Sequence, residues 1–265
     1  MSTHPPSRPR VAVHKFSSCD GCQLAFLNLG EDLLTLAARV DLVYFAEAGP
    51  LDVDTEVDIA FVEGSVSTPE DLERIQRIRA HSRVLVAIGA CAVSGGIQGL
   101  RNSVDSASWV AQIYDHPAAI ASLEHSTPIA THVPVDFELW GCPVTSTQVL
   151  GVVNALLLGV SPRDDADKVC TECKRQGHPC VLVTHGIPCM GPVTRTGCGA
   201  LCPSLGRDCY GCFGPAENAN TNALSVQFAR LGLDAQAIAR RFQSINSQAP
   251  VFRLAAERTR TAGDE

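Results

Sequence analysis

The chain has 265 residues, 45% of them hydrophobic and 18% charged, with a formal net charge of −7 and twelve cysteines. That length supports one good core with a smaller second unit, or two modest domains, and the apolar content excludes a disordered protein. The acidic balance, with no stretch that concentrates Lys and Arg among aromatics, excludes a nucleic-acid partner.

Met1 to Arg10 hold two arginines and three prolines without an apolar run, so no export signal is expected. The longest apolar run, Val149 to Val160, is interrupted by Asn154 and is far shorter than the roughly 20 residues of a membrane span. A cytoplasmic protein without membrane insertion is therefore expected. In that reducing compartment the cysteines are expected to be metal ligands and not disulfides.

Along residues 1–160, strand and helix patterns alternate. The apolar or β-branched runs Val11–Phe16, Val40–Phe45, Val57–Val62, Arg83–Ile88 and Val133–Leu139 predict strands, and Gln23–Ala38, Pro69–Ala80 and Pro143–Leu158 predict helices. Pro69 and Pro143 stand where helices open. Gly95 to Ile129 predicts a long loop with a short helix near Trp109 to Tyr114. The order predicts an α/β fold, a flavodoxin-like doubly wound parallel sheet. Ser161-Pro162-Arg163-Asp164-Asp165 then reads as a linker, dividing the chain at 160/161 into domains 1–160 and 161–265. Cys170 to Gly214 is crowded with Cys, Gly and Pro and cannot pack a conventional core of its own. Bound inorganic clusters would organise it, which makes residues 161–265 an iron–sulfur cluster-organised domain. Ala216–Leu231 and Asp234–Phe242 predict amphipathic helices, and Arg258 to Glu265 a frayed tail.

The cysteines divide into four and eight. Cys19, Cys91 and Cys142 each follow the carboxyl end of a predicted strand, and Cys22 completes a C-x-x-C with Cys19. In an open parallel sheet those ends form one crevice, the usual ligand site of doubly wound folds. Glycines recur beside them at Gly21, Gly89, Gly95, Gly96 and Gly141, allowing close backbone approach. Cys91 and Cys142 taken singly also suit small buried hydrophobes. In the second part, Cys170-x-x-Cys173, Cys198-x3-Cys202 and Cys209-x-x-Cys212, with Cys180 and Cys189, give eight soft ligands. They suit two 4Fe-4S cubanes or two four-thiolate zinc sites. The first four do not form the two close knuckles of a zinc ribbon, and a multi-cluster relay explains all twelve.

The segments Phe16-Ser17-Ser18-Cys19-Asp20-Gly21-Cys22-Gln23, Val62-Glu63-Gly64-Ser65, Gly89-Ala90-Cys91 with Gly95-Gly96-Ile97, Gly141-Cys142-Pro143, Cys189-Met190-Gly191-Pro192 and Cys209-Tyr210-Gly211-Cys212 together resemble the motifs of nickel–iron hydrogenase small subunits. The resemblance covers about residues 11–214. It implies three 4Fe-4S clusters: a proximal one on Cys19, Cys22, Cys91 and Cys142, a distal one on Cys170, Cys173, Cys180 and Cys189, and a medial one on Cys198, Cys202, Cys209 and Cys212. Exported members carry a histidine where this chain has Cys170 and a proline-type residue where it has Cys202. The difference makes this chain similar to the delta subunits of cytoplasmic, bidirectional hydrogenases. The implied partners are a large subunit holding the nickel–iron centre, and flavin/NAD(P)-binding and ferredoxin-like reductase subunits. The Ser-Cys-Asp-Gly-Cys-Gln variant favours that branch over the methanogen deazaflavin-reducing one; the small subunit of a methanogen-type deazaflavin- or heterodisulfide-linked hydrogenase is the alternative. The quinone-reductase relative, with adjacent cluster cysteines, does not fit, since no Cys-Cys pair occurs.

Glu63, closing the third predicted strand, is a candidate for proton movement beside the proximal cluster, or else a carboxylate that binds loop N–H groups. His178 and His185 lie among the distal cysteines but are not needed as ligands. Lys15 and Arg195 are candidates to offset cluster charge. A freestanding polyferredoxin-like carrier and a zinc-stabilised interaction protein are the other two functions these residues fit.

Overall fold

The computed structural model describes residues 8–49, 55–163, 165 and 167–261. Residues 1–7, 50–54, 164, 166 and 262–265 lie outside the described part. Five parallel strands, β1 (Arg10–Lys15), β2 (Asp41–Phe45), β3 (Val57–Glu63), β4 (Ser82–Ile88) and β5 (Phe137–Leu139), form one sheet in the order β2-β1-β3-β4-β5. This is the expected flavodoxin-like order, whose chain reverses direction between β1 and β3. Side chains alternate between the faces with a period of two. Val11, Val13, Ile59, Phe61, Val86 and Ile88 form one core; Ala12, Ala60, Val62, Leu85 and Ala87 belong to the other.

The first helix pattern resolves into α1 (Gly21–Leu27) and α2 (Glu31–Arg39), separated at Asn28-Leu29-Gly30. Phe26 of α1 packs edge-on to Phe61 of β3, with ring centroids 5.1 Å apart. Then α3 (Pro69–Ala80) opens as expected, its Thr68 and Asp71 closing a reciprocal capping box. A short helix α4 (Gly89–Ser94) follows β4 directly and was not expected. The helix near Trp109 lies slightly earlier, at α5 (Ser106–Ile113), because Asp105 caps it by accepting from the amides of Ala107 and Ser108. β5 is shorter than its apolar run. Pro134 has no N–H for the ladder, and Leu85 is instead met by both the amide and the carboxylate of Asp136. α6 (Ser146–Leu157) begins after Pro143, at a Thr145–Gln148 capping box.

The second part forms α7 (Val169–Arg175), α8 (Val181–Thr184), α9 (Leu201–Ser204), α10 (Thr221–Arg230), α11 (Ala235–Gln243) and α12 (Pro250–Thr261). Phe228, Phe242 and Phe252 of the last three helices share a buried cluster with Val181, Met190 and Val193. The cysteine-rich segment thus borrows its core from the helices that follow it. Helix α12 includes Arg258 to Thr261, so the frayed tail expected from Arg258 is corrected there: Ala255 and Ala256 anchor its face in the core.

His14 on β1 is 7% exposed and stacks on Tyr44 at 4.6 Å. Burial, and then the charge of Arg74, lower its pKa from 6.5 to about 4. Arg77, His81 and Glu70 line the same hollow. Between those pH values the unfolded chain takes a proton at His14 that the folded chain refuses. The contribution is complete above pH 6.5 and is lost as pH falls toward 4, on the order of 3 kcal/mol in all. His14→Phe, which keeps the stack, is expected to flatten this dependence. Urea midpoints at pH 7 and at pH 4.5 for both proteins measure it.

Candidate metal centre

The end of β1 is tied to β3 by the Phe16 amide donating to the Glu63 carbonyl at 2.8 Å. The chain then turns through Cys19 and Asp20, whose φ is +67°. A short polar side chain tolerates that left-handed conformation, and here its carboxylate is held by Lys15 at 2.8 Å and Ser18 at 3.1 Å. The turn sets Cys22 in α1. Cys91 lies in α4, and the Ala90 amide donates to the Gly141 carbonyl at 2.7 Å, binding that helix to the loop of Cys142. At Gly89, φ is +84° and a Cβ would stand 2.4 Å from the Cys22 sulfur, so only glycine fits.

The four thiols of the first part come together. Burial raises Cys22 most, followed by Glu63, Cys91 and Cys142. Cys91 is pushed up to about 12 by burial and then by Cys142 and Cys19. Burial and mutual repulsion both oppose thiolates here, and a bound cation would offset both. Glu63 is 2% exposed. Its Oε1 accepts the Cys22 amide at 3.0 Å, and its Oε2 has no hydrogen-bond partner. Burial raises its pKa, opposed by the Cys22 amide and by the nearby Gln23. The Gln23 side-chain amide, also fully buried, lies beside that carboxyl.

Cys170, Cys173, Cys180 and Cys189 line one hollow with His178 and Pro203. Cys170 is pushed up to about 11 by burial and then by Cys189, Cys173 and Cys180. Cys212 is pushed up to about 12 by burial and then by Cys198, Cys142 and Cys202, and Cys209 also neighbours it. Glu172, inside the first C-x-x-C of this part, pins the loop of Cys198: its carboxylate accepts the amides of Gly197, Gly199 and Ala200 at 3.2, 3.3 and 3.0 Å. Buried Asp208 pairs with Arg241 and holds the approach to Cys209. Sequence reasoning misses both acids, since their partners at residues 197–200 and 241 are brought near only by the fold.

The three groups also follow one another in space. Cys142 of the first neighbours Cys212. The Cys209 amide donates to the Cys189 sulfur at 3.2 Å, and Cys173 neighbours Cys198. All twelve cysteines are free thiols. Among the described residues no three His, Cys, Asp or Glu side chains gather closely enough to hold a single ion. His178 sits beside Gln176, its Nε2 2.7 Å from Oε1, and His185 is exposed. The charge of Lys15 is taken up by Asp20 and Glu47 at 2.8 and 2.9 Å. Arg195 lies over the Trp140 ring, 5.2 Å from its centroid.

Residues 19–156 match the family described as NADH ubiquinone oxidoreductase, 20 Kd subunit. The delta subunit of sulfhydrogenase 2 from Pyrococcus furiosus is 36% identical over 80% of this chain and 88% of its own. A vhu F420-non-reducing hydrogenase protein from Methanocaldococcus jannaschii is 31% identical over 82% of this chain and 86% of its own. The chain belongs to the nickel–iron hydrogenase small-subunit family. A chain of an NAD+-reducing [NiFe]-hydrogenase of known structure is 31% identical to this small subunit, with a TM-score of 0.55, over 59% of this chain and 94% of that one. A [NiFeSe]-hydrogenase chain from Dm. baculatum shares the fold at a TM-score of 0.57 over 80% of this chain, with 16% identity. Among the described residues of the small subunit, no helix is long and apolar enough to cross a membrane. In this family the nickel–iron centre belongs to the partner subunit.

Proposed function

We propose that this small subunit relays electrons in the cytoplasm through three 4Fe-4S clusters, between the nickel–iron centre of its large subunit and a flavin/NAD(P)-binding reductase module with ferredoxin-like subunits. The observation that supports the reading is the serial arrangement of the three cysteine sets, with Cys142 near enough to Cys212 to feel its charge and the Cys209 amide bonded to the Cys189 sulfur. Cys19, Cys22, Cys91 and Cys142 would hold the proximal cluster within residues 1–160. Within 161–265, Cys198, Cys202, Cys209 and Cys212 would hold the medial cluster, and Cys170, Cys173, Cys180 and Cys189 the distal one. When bound, such clusters supply one-electron steps at potentials set by their ligands, hydrogen bonds and burial. A four-thiolate zinc site would draw every sulfur to about 2.3 Å from one ion, whereas a cubane would give each thiolate its own iron; membership of the hydrogenase small-subunit family supports the cubane.

Exposed Leu24 and Ile97 flank the first set and offer apolar contact to a large subunit. At the far set, Lys174, Arg175 and Arg207 are exposed, while both carboxylates of residues 170–212 are engaged inside. That local positive charge, on an acidic chain, suits an acidic electron acceptor.

Iron and acid-labile sulfide at about twelve each per chain, with a nickel-containing larger chain co-purifying, are the expected results. Zinc in place of iron would exclude the relay. The 31% identity to an F420-non-reducing hydrogenase protein favours a second reading, a methanogen-type assembly, and of its deazaflavin- and heterodisulfide-linked forms that name speaks against the first. Hydrogen-dependent NAD(P) reduction by the purified assembly decides between the two.

Glu63 would move protons beside the proximal cluster. Its unpartnered oxygen and raised pKa support this role. Glu63→Gln retains an acceptor for the Cys22 amide, so iron content is expected to hold while turnover falls about a hundredfold. Unchanged turnover would leave Glu63 a purely structural acceptor.

A further inference from the structure

The turn between α11 and α12 enters the molecule beside the first cysteine set. Gln248 in this turn donates through its side-chain amide to the Ser126 carbonyl at 2.6 Å. Gly95 makes room for it, since a Cβ there would stand 2.1 Å from that amide nitrogen. Asn246 lies deepest, 1% exposed. Its Nδ2 donates to the Gly211 carbonyl at 2.7 Å, and its Oδ1 meets the buried Ser94 hydroxyl at 2.6 Å. The Gly211 carbonyl can only accept, so the amide nitrogen must face it. Ser94 must then give its single proton to Asn246 and not to the Ala90 carbonyl, 3.0 Å away.

This bridge joins two ligand segments. Ser94 closes the helix that carries Cys91, and Gly211 lies between Cys209 and Cys212. The carbonyl that Asn246 holds is that of Gly211, whose own amide donates to the Cys209 sulfur at 3.4 Å. Holding that carbonyl fixes the orientation of the Gly211 backbone and keeps its N–H on the sulfur. N–H donors to the sulfurs stabilise the more negative, reduced state of a cluster and so raise its potential.

We infer that Asn246 is a positioning residue: it fixes the Cys209–Cys212 loop against the Cys91 helix and raises the potential of the cluster that loop would hold. This rests on the cluster assignment proposed above. The test is an EPR-monitored redox titration of the intact assembly carrying Asn246→Leu, Ser94→Ala or Gln248→Ala. Asn246→Leu keeps the side-chain volume without a donor, Ser94→Ala removes the other half of the bridge, and Gln248→Ala loosens the same turn without touching it.

Expected are unchanged iron and sulfide, one midpoint moved to more negative potential in Asn246→Leu, and an altered magnetic interaction between that cluster and the one beside it. Ser94→Ala moves the midpoint less, in the same direction, and Gln248→Ala leaves it in place. Unmoved potentials in Asn246→Leu overturn the inference, as does an equal shift in Gln248→Ala, which would mark the packing of the turn as the cause. If Asn246→Leu fails to take up iron, an unmoved midpoint in Ser94→Ala overturns it. An unaltered protein without iron would sink the cluster assignment itself.

Discussion

Cys19→Ala is expected to abolish hydrogen-dependent dye reduction while the large subunit stays bound and the chain stays folded. Cys19 is exposed, on a turn whose shape is kept by Asp20 with Lys15 and Ser18, so its loss removes a thiolate without opening the core. Its neighbour Cys22 is buried in the hydrophobic cluster under α1, and its replacement would mix loss of a ligand with loss of packing. Iron should fall from about twelve to about eight per chain if only the first cluster is lost. Dye reduction that survives, with the nickel-containing partner still attached, would show that the first cysteine set is not the point of electron entry.

Gly89→Ala is expected to cost the same cluster by a different route. The alanine would have to take a left-handed backbone conformation, costing about 1–3 kcal/mol, and its Cβ would stand 2.4 Å from the Cys22 sulfur. Something must move, and Cys22 is the ligand that would be displaced. Gly151→Ala in α6, where a Cβ meets nothing within 4 Å, is the matched control. It is expected to stabilise the helix by about 0.5–1 kcal/mol and to leave the iron content alone. Thermal melting with iron analysis separates the two effects, and full iron in Gly89→Ala would contradict the steric account.

The sheet was legible because each strand is an apolar run of strand length and the cysteines follow the strand ends. Where the reading differed, local chemistry outweighed pattern. Pro134 and Asp136 shortened β5, and Thr145, not Pro143, opened α6. Helix α4 was hidden because Gly89-Ala90-Cys91-Ala92-Val93-Ser94 is short and begins with glycine. Helix α12 was missed because its buried face is largely alanine, a weak periodic signal. The cysteines themselves could be counted and grouped, since ligand chemistry needs specific side chains. Glu172, Asp208 and Asn246 could not be found that way. Each acts on backbone or side chains brought near only by the fold.

The nearness of Cys142 to Cys212 bears on how the proposed clusters would hold charge. Across the boundary between the two proposed ligand sets, Cys142 makes Cys212 harder to ionise. An electron added to either centre would oppose the next in the same way, so reduction would be anticooperative and the midpoints would belong to the coupled array and not to single sites. With clusters bound as proposed, such a small subunit would hand electrons on in single file and resist holding them together.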